Sequence, residues 1–308
     1  MTLLELGQPA EDVKQEQPGD QRLWSVTTII GCLDKPALLY WAAEQAAQAA
    51  IASRRSLDQR IDEEGEDAVT KWLRDARFRR PKNRLAASSL GTCAHHACET
   101  YALTGTRPDR DQLDAIVRAE GLTDAIGIRT ETAILERMLD RFDAWLQRFT
   151  PTYDATEVVV YHPTYGYAGT ADAFLRIDGI PLIADYKSSR DGYDAKGNTK
   201  TPYPEVGLQL AAYRYAESAA VWRPRRTERF RRRYYLLSDT ERDKAVPVPQ
   251  VAGGIVIQLT PDHCEAFSVR CDTVVHEAFL YVLEAARWQF ETSRDVIATT
   301  PLIPGGTP

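Results

Sequence analysis

The spacing of apolar and polar residues changes character near the middle of the chain. In residues 130–149 (TETAILERMLDRFDAWLQRF), Ile134, Met138, Phe142, Trp145 and Phe149 recur at three-to-four spacing, which predicts a helix packing through one stripe and ending before Pro151. Helix is also predicted over residues 36–53, an alanine-rich segment opened by proline, over 60–79, and over 92–103 with Ser88 or Ser89 as its cap. Beyond residue 156 the period shortens. EVVVY (157–161), GYAGTADAFLRI (166–177) and PLIADYK (181–187) are rich in strand formers and bounded by turns. Helical spacing returns over 203–221, two more strands follow in GGIVIQL and CEAFSVRC, and residues 273–291 predict a closing helix. This order predicts an α/β fold with a central mixed sheet flanked by helices and an integral helical N-terminal region. The expected organisation is low order over 1–22, the helical region over 23–150, the core over 151–292 and a flexible tail over 293–308.

With 308 residues, 44% hydrophobic and 27% charged, the chain has room for a substantial core, which excludes disorder, collagen and coiled coil for its bulk. No apolar run approaches the roughly 20 residues of a membrane helix, and the acidic, polar start lacks the features of an export signal. A cytoplasmic protein with no membrane partner is expected. Five cysteines without a CxxC pair (Cys32, Cys93, Cys98, Cys264, Cys271) read as free thiols of a reducing compartment. The net charge of -6, taken alone, argues against a nucleic-acid partner. It conceals two basic blocks, RDARFRRPKNR (74–84, +5) and RPRRTERFRRR (223–233, +6), which leave -17 for the remainder. Solvated helix faces would account for either block alone, but two of them beside Phe78, Trp222 and Phe230 favour contact with phosphates and bases.

The candidate chemistry lies in AGTADAFLRIDGIPLIADYKSS (168–189). Asp178-Gly179 between two apolar runs predicts a two-residue type I′ hairpin, which would set Ile177 against Ile180, Leu175 against Leu182 and Asp172 against Asp185. Cross-strand Cβ atoms would then be about 5 Å apart, so the two carboxylates repel unless a cation joins them. Alternation puts Asp185 and Lys187 on one face, with Thr170 opposite Lys187. Two carboxylates and an ammonium at a sheet edge fit Mg²⁺ or Mn²⁺ with retained waters. A surface hairpin with an Asp–Lys cross-strand pair fits these residues as well, and a bulged turn would shift the register by one.

GTADAFL (169–175), IADYKSS (183–189) and QLAAYRYA (209–216) together resemble the PD-(D/E)xK nuclease superfamily, in its RecB-nuclease-like branch of phage and CRISPR-associated exonucleases. Upstream, Gly91-Thr92-Cys93-Ala94-His95 is similar to that branch's GxxxH helix motif. The resemblance implies a restriction-endonuclease-like core with Glu157 on the first core strand, Asp172 and Asp185 as metal-binding carboxylates, Lys187 activating water, and Gln209 and Tyr213 supporting the site or touching DNA. It further implies that His95, Asp172, Asp185 and the Tyr186 carbonyl hold Mg²⁺ or Mn²⁺. His96 points about 100° from His95 and reads as structural; Glu99, one turn on from His95, either orients its imidazole or is solvent-exposed. Glu205 and Glu217 extend the Gln209/Tyr213 stripe, and residues 190–202 form a polar loop that carries substrate contacts or serves as a spacer.

The expected activity is therefore a metal-dependent DNA nuclease, an exonuclease acting on single-stranded or duplex ends in replication, recombination or repair. It would work in a bacterial or phage-infected cell, with a recombination or replication protein as a possible partner. The alternatives are a structure-specific endonuclease and a non-catalytic nucleic-acid-binding subunit of a larger nuclease complex. Relatives with an iron–sulfur cluster use an upstream cysteine and a C-terminal cysteine group, whereas only Cys264 and Cys271 stand near this end, which argues against a cluster. A Cys93/His95 hydrolase dyad lacks an orienting partner pattern, and without a GxxxxGK[ST] sequence no helicase motor is expected.

Overall fold

Asp178 and Gly179 adopt positive φ, 51° and 76°, as a type I′ turn requires, and they close the hairpin of β3 (Tyr167–Ile177) and β4 (Ile180–Ser188). Its register is the expected one, with Ile177 opposite Ile180, Arg176 opposite Pro181, Leu175 opposite Leu182 and Ala173 opposite Ala184. The structure is a computed structural model that describes residues 20–78, 84–193, 197–220, 225–226 and 234–297. Around the hairpin grows a mixed sheet: β9 (Gly253–Leu259) lies parallel to β4, and β10 (Cys264–Val269) runs antiparallel to β9. On the other side β2 (Thr152–His162) pairs antiparallel with β3, while β1 (Gln21–Ser25) pairs parallel with its first residues and antiparallel with β7 (Tyr234–Leu237). Short strands β5 (Ser218–Ala219), β6 (Arg225–Arg226) and β8 (Val246–Pro247) complete it.

This pairing opens a fork. Because β2 occupies one edge of β3 along almost its whole length, β1 and β4 must share the other edge. There β1 covers Tyr167 and Ala168 and β4 starts at Ala173, so residues 169–172 have no strand beside them. Helices enclose both faces. One layer holds α5 (Ala87–Thr104), α6 (Arg110–Ala119) and α7 (Ala125–Phe149), whose apolar residues meet Ala184, Tyr186, Ile255 and Ile257. Behind the other face lie α1 (Val26–Ile30), α8 (Glu205–Arg214) and α10 (Thr273–Phe290), against Ile183 and Val256. Alternate residues of β4 and β9 thus serve opposite cores, which is why both strands read as near-continuous apolar runs. In α7, Asp124 caps the first turn through the Gly127 N–H and Leu135, Met138, Leu139, Phe142 and Trp145 form the buried stripe.

Several elements depart from the sequence pattern. Gln21–Ser25 is a strand, because Leu23, Trp24 and Ser25 bury beside β3, whereas low order was expected to residue 22 and helix beyond it. The helix expected over 60–79 breaks at Gly65 (φ 84°) between α3 (Leu57–Glu64) and α4 (Glu66–Arg74), followed by a 3₁₀ turn, Asp75–Phe78. Its N-terminal neighbour α2 spans Pro36–Ser53 as expected. Ser88 and Ser89 do not cap α5; they lie within its first turn, and Ala86 holds the cap position with no side-chain bond. The helix expected to residue 221 stops at Arg214, since Ser218 and Ala219 pair with β2. Between β7 and β8 lies one further short helix, α9 (Asp239–Arg242). All five cysteines are free. Arg79–Asn83 of the first basic block, most of the second, Trp222, Phe230 and the tail beyond Ile297 lie outside the described residues. Among the described residues, no helix is long and apolar enough to cross a membrane.

Candidate active site

Asp172 sits at the mouth of the fork, where its Oδ2 accepts the Tyr186 N–H at 2.7 Å in place of the main-chain acceptor a continued ladder would supply. The same oxygen lies 3.7 Å from His95 Nδ1 on α5. Across the fork Asp185 is 1% exposed, with Lys187 Nζ 2.5 Å from its Oδ2 and Gln209 Nε2 donating to its Oδ1 at 2.7 Å. The lysine contact is a close ion pair to a buried carboxylate oxygen. Gln209 Oε1 accepts from Lys187 at 3.5 Å, and Gln209 Nε2 reaches the Tyr213 hydroxyl at 3.4 Å. Burial pushes the Asp185 carboxyl up to about 6 and neighbouring Asp172 adds to the rise, against the pull of Lys187.

Local sequence explains this convergence. Alternation directs Asp185 and Lys187 to the face under α8, where Gln209 reaches both and Tyr213, one helical turn on, bonds to Gln209. Tyr186 faces the opposite way: its ring packs edge-on against His95 and Phe142, and its hydroxyl shares a hydrogen bond of 2.7 Å with Tyr153. Within a strand a residue's N–H and C=O point to the same edge, so the Tyr186 carbonyl faces the fork beside Asp172. Gly91 stands four residues before His95, and a Cβ there would lie 3.2 Å from Ser188 Oγ, so the small residue lets α5 pass close over the end of β4. Glu99 is not solvent-exposed: it is half-buried and accepts from Thr156 on β2 at 3.2 Å, tying α5 to the sheet, and burial pushes its carboxyl up. His96 is exposed and outside the cluster. Glu157 lies level with Asp172 on β2 as an exposed residue with φ 48°, between buried Thr156 and Val158.

Two supports escape sequence reading. Gly169 lies where β3 pairs with β2 but is open on its other edge, and a Cβ there would stand 2.4 Å from Tyr213 Cε1 and 2.9 Å from its hydroxyl oxygen. Gly169→Ala is therefore expected to push Tyr213 and Gln209 away from Asp185, costing about 1–3 kcal/mol of stability and at least tenfold in turnover. Adding Tyr213→Leu should recover stability but not turnover; the check is chemical denaturation and kinetics on both variants. The second support is a buried ion pair. Arg190, two residues beyond β4, donates to Glu131 of α7 at 2.6 Å and to the Leu85 carbonyl at 3.0 Å, while Glu131 also accepts the Leu85 N–H at 3.2 Å. This knot fixes the end of β4 against the segment leading into α5.

Among the described residues, no three His, Cys, Asp or Glu side chains form a ready-made metal cage. The donor set nevertheless fits a hard divalent cation: two carboxylates near enough to repel, one of them almost wholly buried, a main-chain carbonyl facing the same gap and one imidazole. Such an ion would relieve the repulsion that raises Asp185.

A family model described as the PD-(D/E)XK nuclease superfamily matches residues 37–296. No curated protein matches the chain. One solved structure, titled "Crystal structure of SSO0001", is similar at a TM-score of 0.28 and 15% identity, over 78% of this chain and 86% of that chain; a likeness of this size carries no argument.

Proposed function

From the premise that the chain belongs to the PD-(D/E)XK nuclease superfamily, whose restriction-endonuclease-like core its α/β sheet matches, we propose that it is a Mg²⁺- or Mn²⁺-dependent deoxyribonuclease of the RecB-like branch, an exonuclease on DNA ends. The superfamily implies nuclease activity. The observation carrying the reading is the meeting of Asp172, Asp185, Lys187 and Gln209 in one fork of the sheet. His95, Asp172, Asp185 and the Tyr186 carbonyl would hold the metal, which when bound polarises a phosphoryl oxygen and lowers the pKa of its water. Lys187, held between Asp185 and Gln209, directs its ammonium protons to the attacking water or a non-bridging oxygen. Gln209 acts as a spacer that keeps Asp185 and Lys187 in register. Tyr213, buried at 2% exposure, supports Gln209 rather than reaching DNA.

Exonuclease action is favoured by the position of α5, which passes over the end of β4 and brings His95 to the fork, so that the site is covered on that side. A role in replication, recombination or repair follows from an end-directed activity. The test compares linear, 5′-blocked, 3′-blocked and covalently closed single-stranded DNA with Mg²⁺. Degradation is expected only from open ends, and the blocked substrates will give the polarity. Rapid cutting of closed circles would replace this reading with an endonuclease.

A further inference from the structure

Beside Lys187 opens a cleft of about 420 Å³, a size in the range of small-molecule sites, walled by α1, the end of β4, β9 and the chain entering α8. Its lining carries Lys35, Lys187 and Lys200 against one acid, Glu205, so an acidic chain gathers positive charge at this point. Two acceptors line the same cleft with no hydrogen-bond donor among the described residues: Gln258 Oε1, in a residue 5% exposed, and Glu205 Oε2. Gln258 pairs with Lys187 across β4 and β9, so both side chains issue from the same face of the sheet. At the rim stands Tyr203, 71% exposed.

Ammonium groups call for phosphate, buried acceptors without donors call for N–H groups from a ligand, and an exposed aromatic offers a stacking face. We propose that this cleft is a subsite for the one nucleotide that adjoins the scissile phosphate. Lys35 and Lys200 hold its phosphates, Gln258 and Glu205 accept from amino or imino N–H groups of its base, and Tyr203 stacks on the base or its neighbour. The subsite rests on the nuclease reading and extends it, because Lys187 is shared by the cleft and the hydrolytic cluster. It assigns work to Lys200 and Tyr203 in the segment leading into α8.

The test is equilibrium binding of a fluorescein-labelled single-stranded 12-mer, measured with Ca²⁺ across a salt series, beside Mg²⁺-dependent cleavage by the same preparations. Lys35→Ala/Lys200→Ala is expected to weaken binding at least tenfold and to flatten the dependence of log K on log salt by about 1.4, the value for two phosphate contacts on a single strand. Tyr203→Ala should weaken binding about fivefold or more with little change of slope. Thermal melts confirm that these surface variants fold. Wild-type protein that cuts DNA, with a double variant unchanged in affinity and slope, would overturn the subsite alone. Wild-type protein that neither binds nor cuts would overturn the nuclease reading as well.

Discussion

Asp185→Asn is expected to lower metal-dependent cleavage by about 10³-fold or more while making the apo protein more stable at neutral pH. The loss of activity follows from removing the carboxylate that Lys187 and Gln209 both engage. The gain in stability follows from its burial. The Asp185 carboxyl titrates near 6 in the fold, against an ordinary value of 3.8, so between those values the folded state binds the proton more tightly than the unfolded chain does. Its contribution to stability is therefore full below pH 3.8 and is lost as pH rises through 6. Above pH 7 the wild type holds an ionised, buried carboxylate beside Asp172, and the neutral amide removes that cost, on the order of 1–3 kcal/mol. Asparagine keeps an oxygen for the Gln209 N–H, and Lys187, 44% exposed, can rehydrate. Melting temperatures of both proteins at pH 7.5 and pH 4 provide the check: the variant should melt higher at pH 7.5, and the difference should vanish at pH 4.

Glu131→Ala is expected to cost about 3–5 kcal/mol, the scale for removing one member of a buried pair. Glu131 is wholly buried, and its loss strands the Arg190 guanidinium and the Leu85 N–H together. Urea unfolding should show the loss as a lower midpoint at unchanged slope. Glu131→Leu combined with Arg190→Leu should be less destabilised than Glu131→Ala alone, since no unpaired charge remains. Equal stability of Glu131→Ala and wild type would mean that water reaches the pair and that the knot does not hold β4.

How far the site could be read in advance depended on the range of the forces involved. The hairpin was legible because a two-residue turn and strict alternation fix every pairing between Ile177 and Ala184. The continuation to Asp172 and Asp185 was legible only in part: their order along the strands holds, but the ladder ends at Ala173 and the Asp172 carboxylate takes over the Tyr186 N–H. The fork itself was hidden, because it depends on a five-residue strand at Gln21–Ser25, too short for a period to show. Gly169 carried a signal in being a glycine within a strand pattern, which marks close approach, but the partner, Tyr213, lies in a helix far along the chain. Glu131 and Arg190 are 59 residues apart and carried none, since a charged residue on a helix is ordinarily solvated and only tertiary packing buries this one.

The most direct measurement is single-turnover cleavage of end-labelled DNA by wild type and Lys187→Met, each with Mg²⁺, Mn²⁺ and chelator, alongside Mn²⁺ binding by calorimetry. Lys187 is placed to act on the water and phosphate rather than to ligate metal, so the variant should bind Mn²⁺ at least as well as wild type yet cleave about 10³-fold more slowly or worse. Wild-type cleavage should vanish with chelator. Cleavage that persists without metal, or a Lys187→Met protein that cuts at the wild-type rate, would contradict the assignment of the fork as the hydrolytic centre.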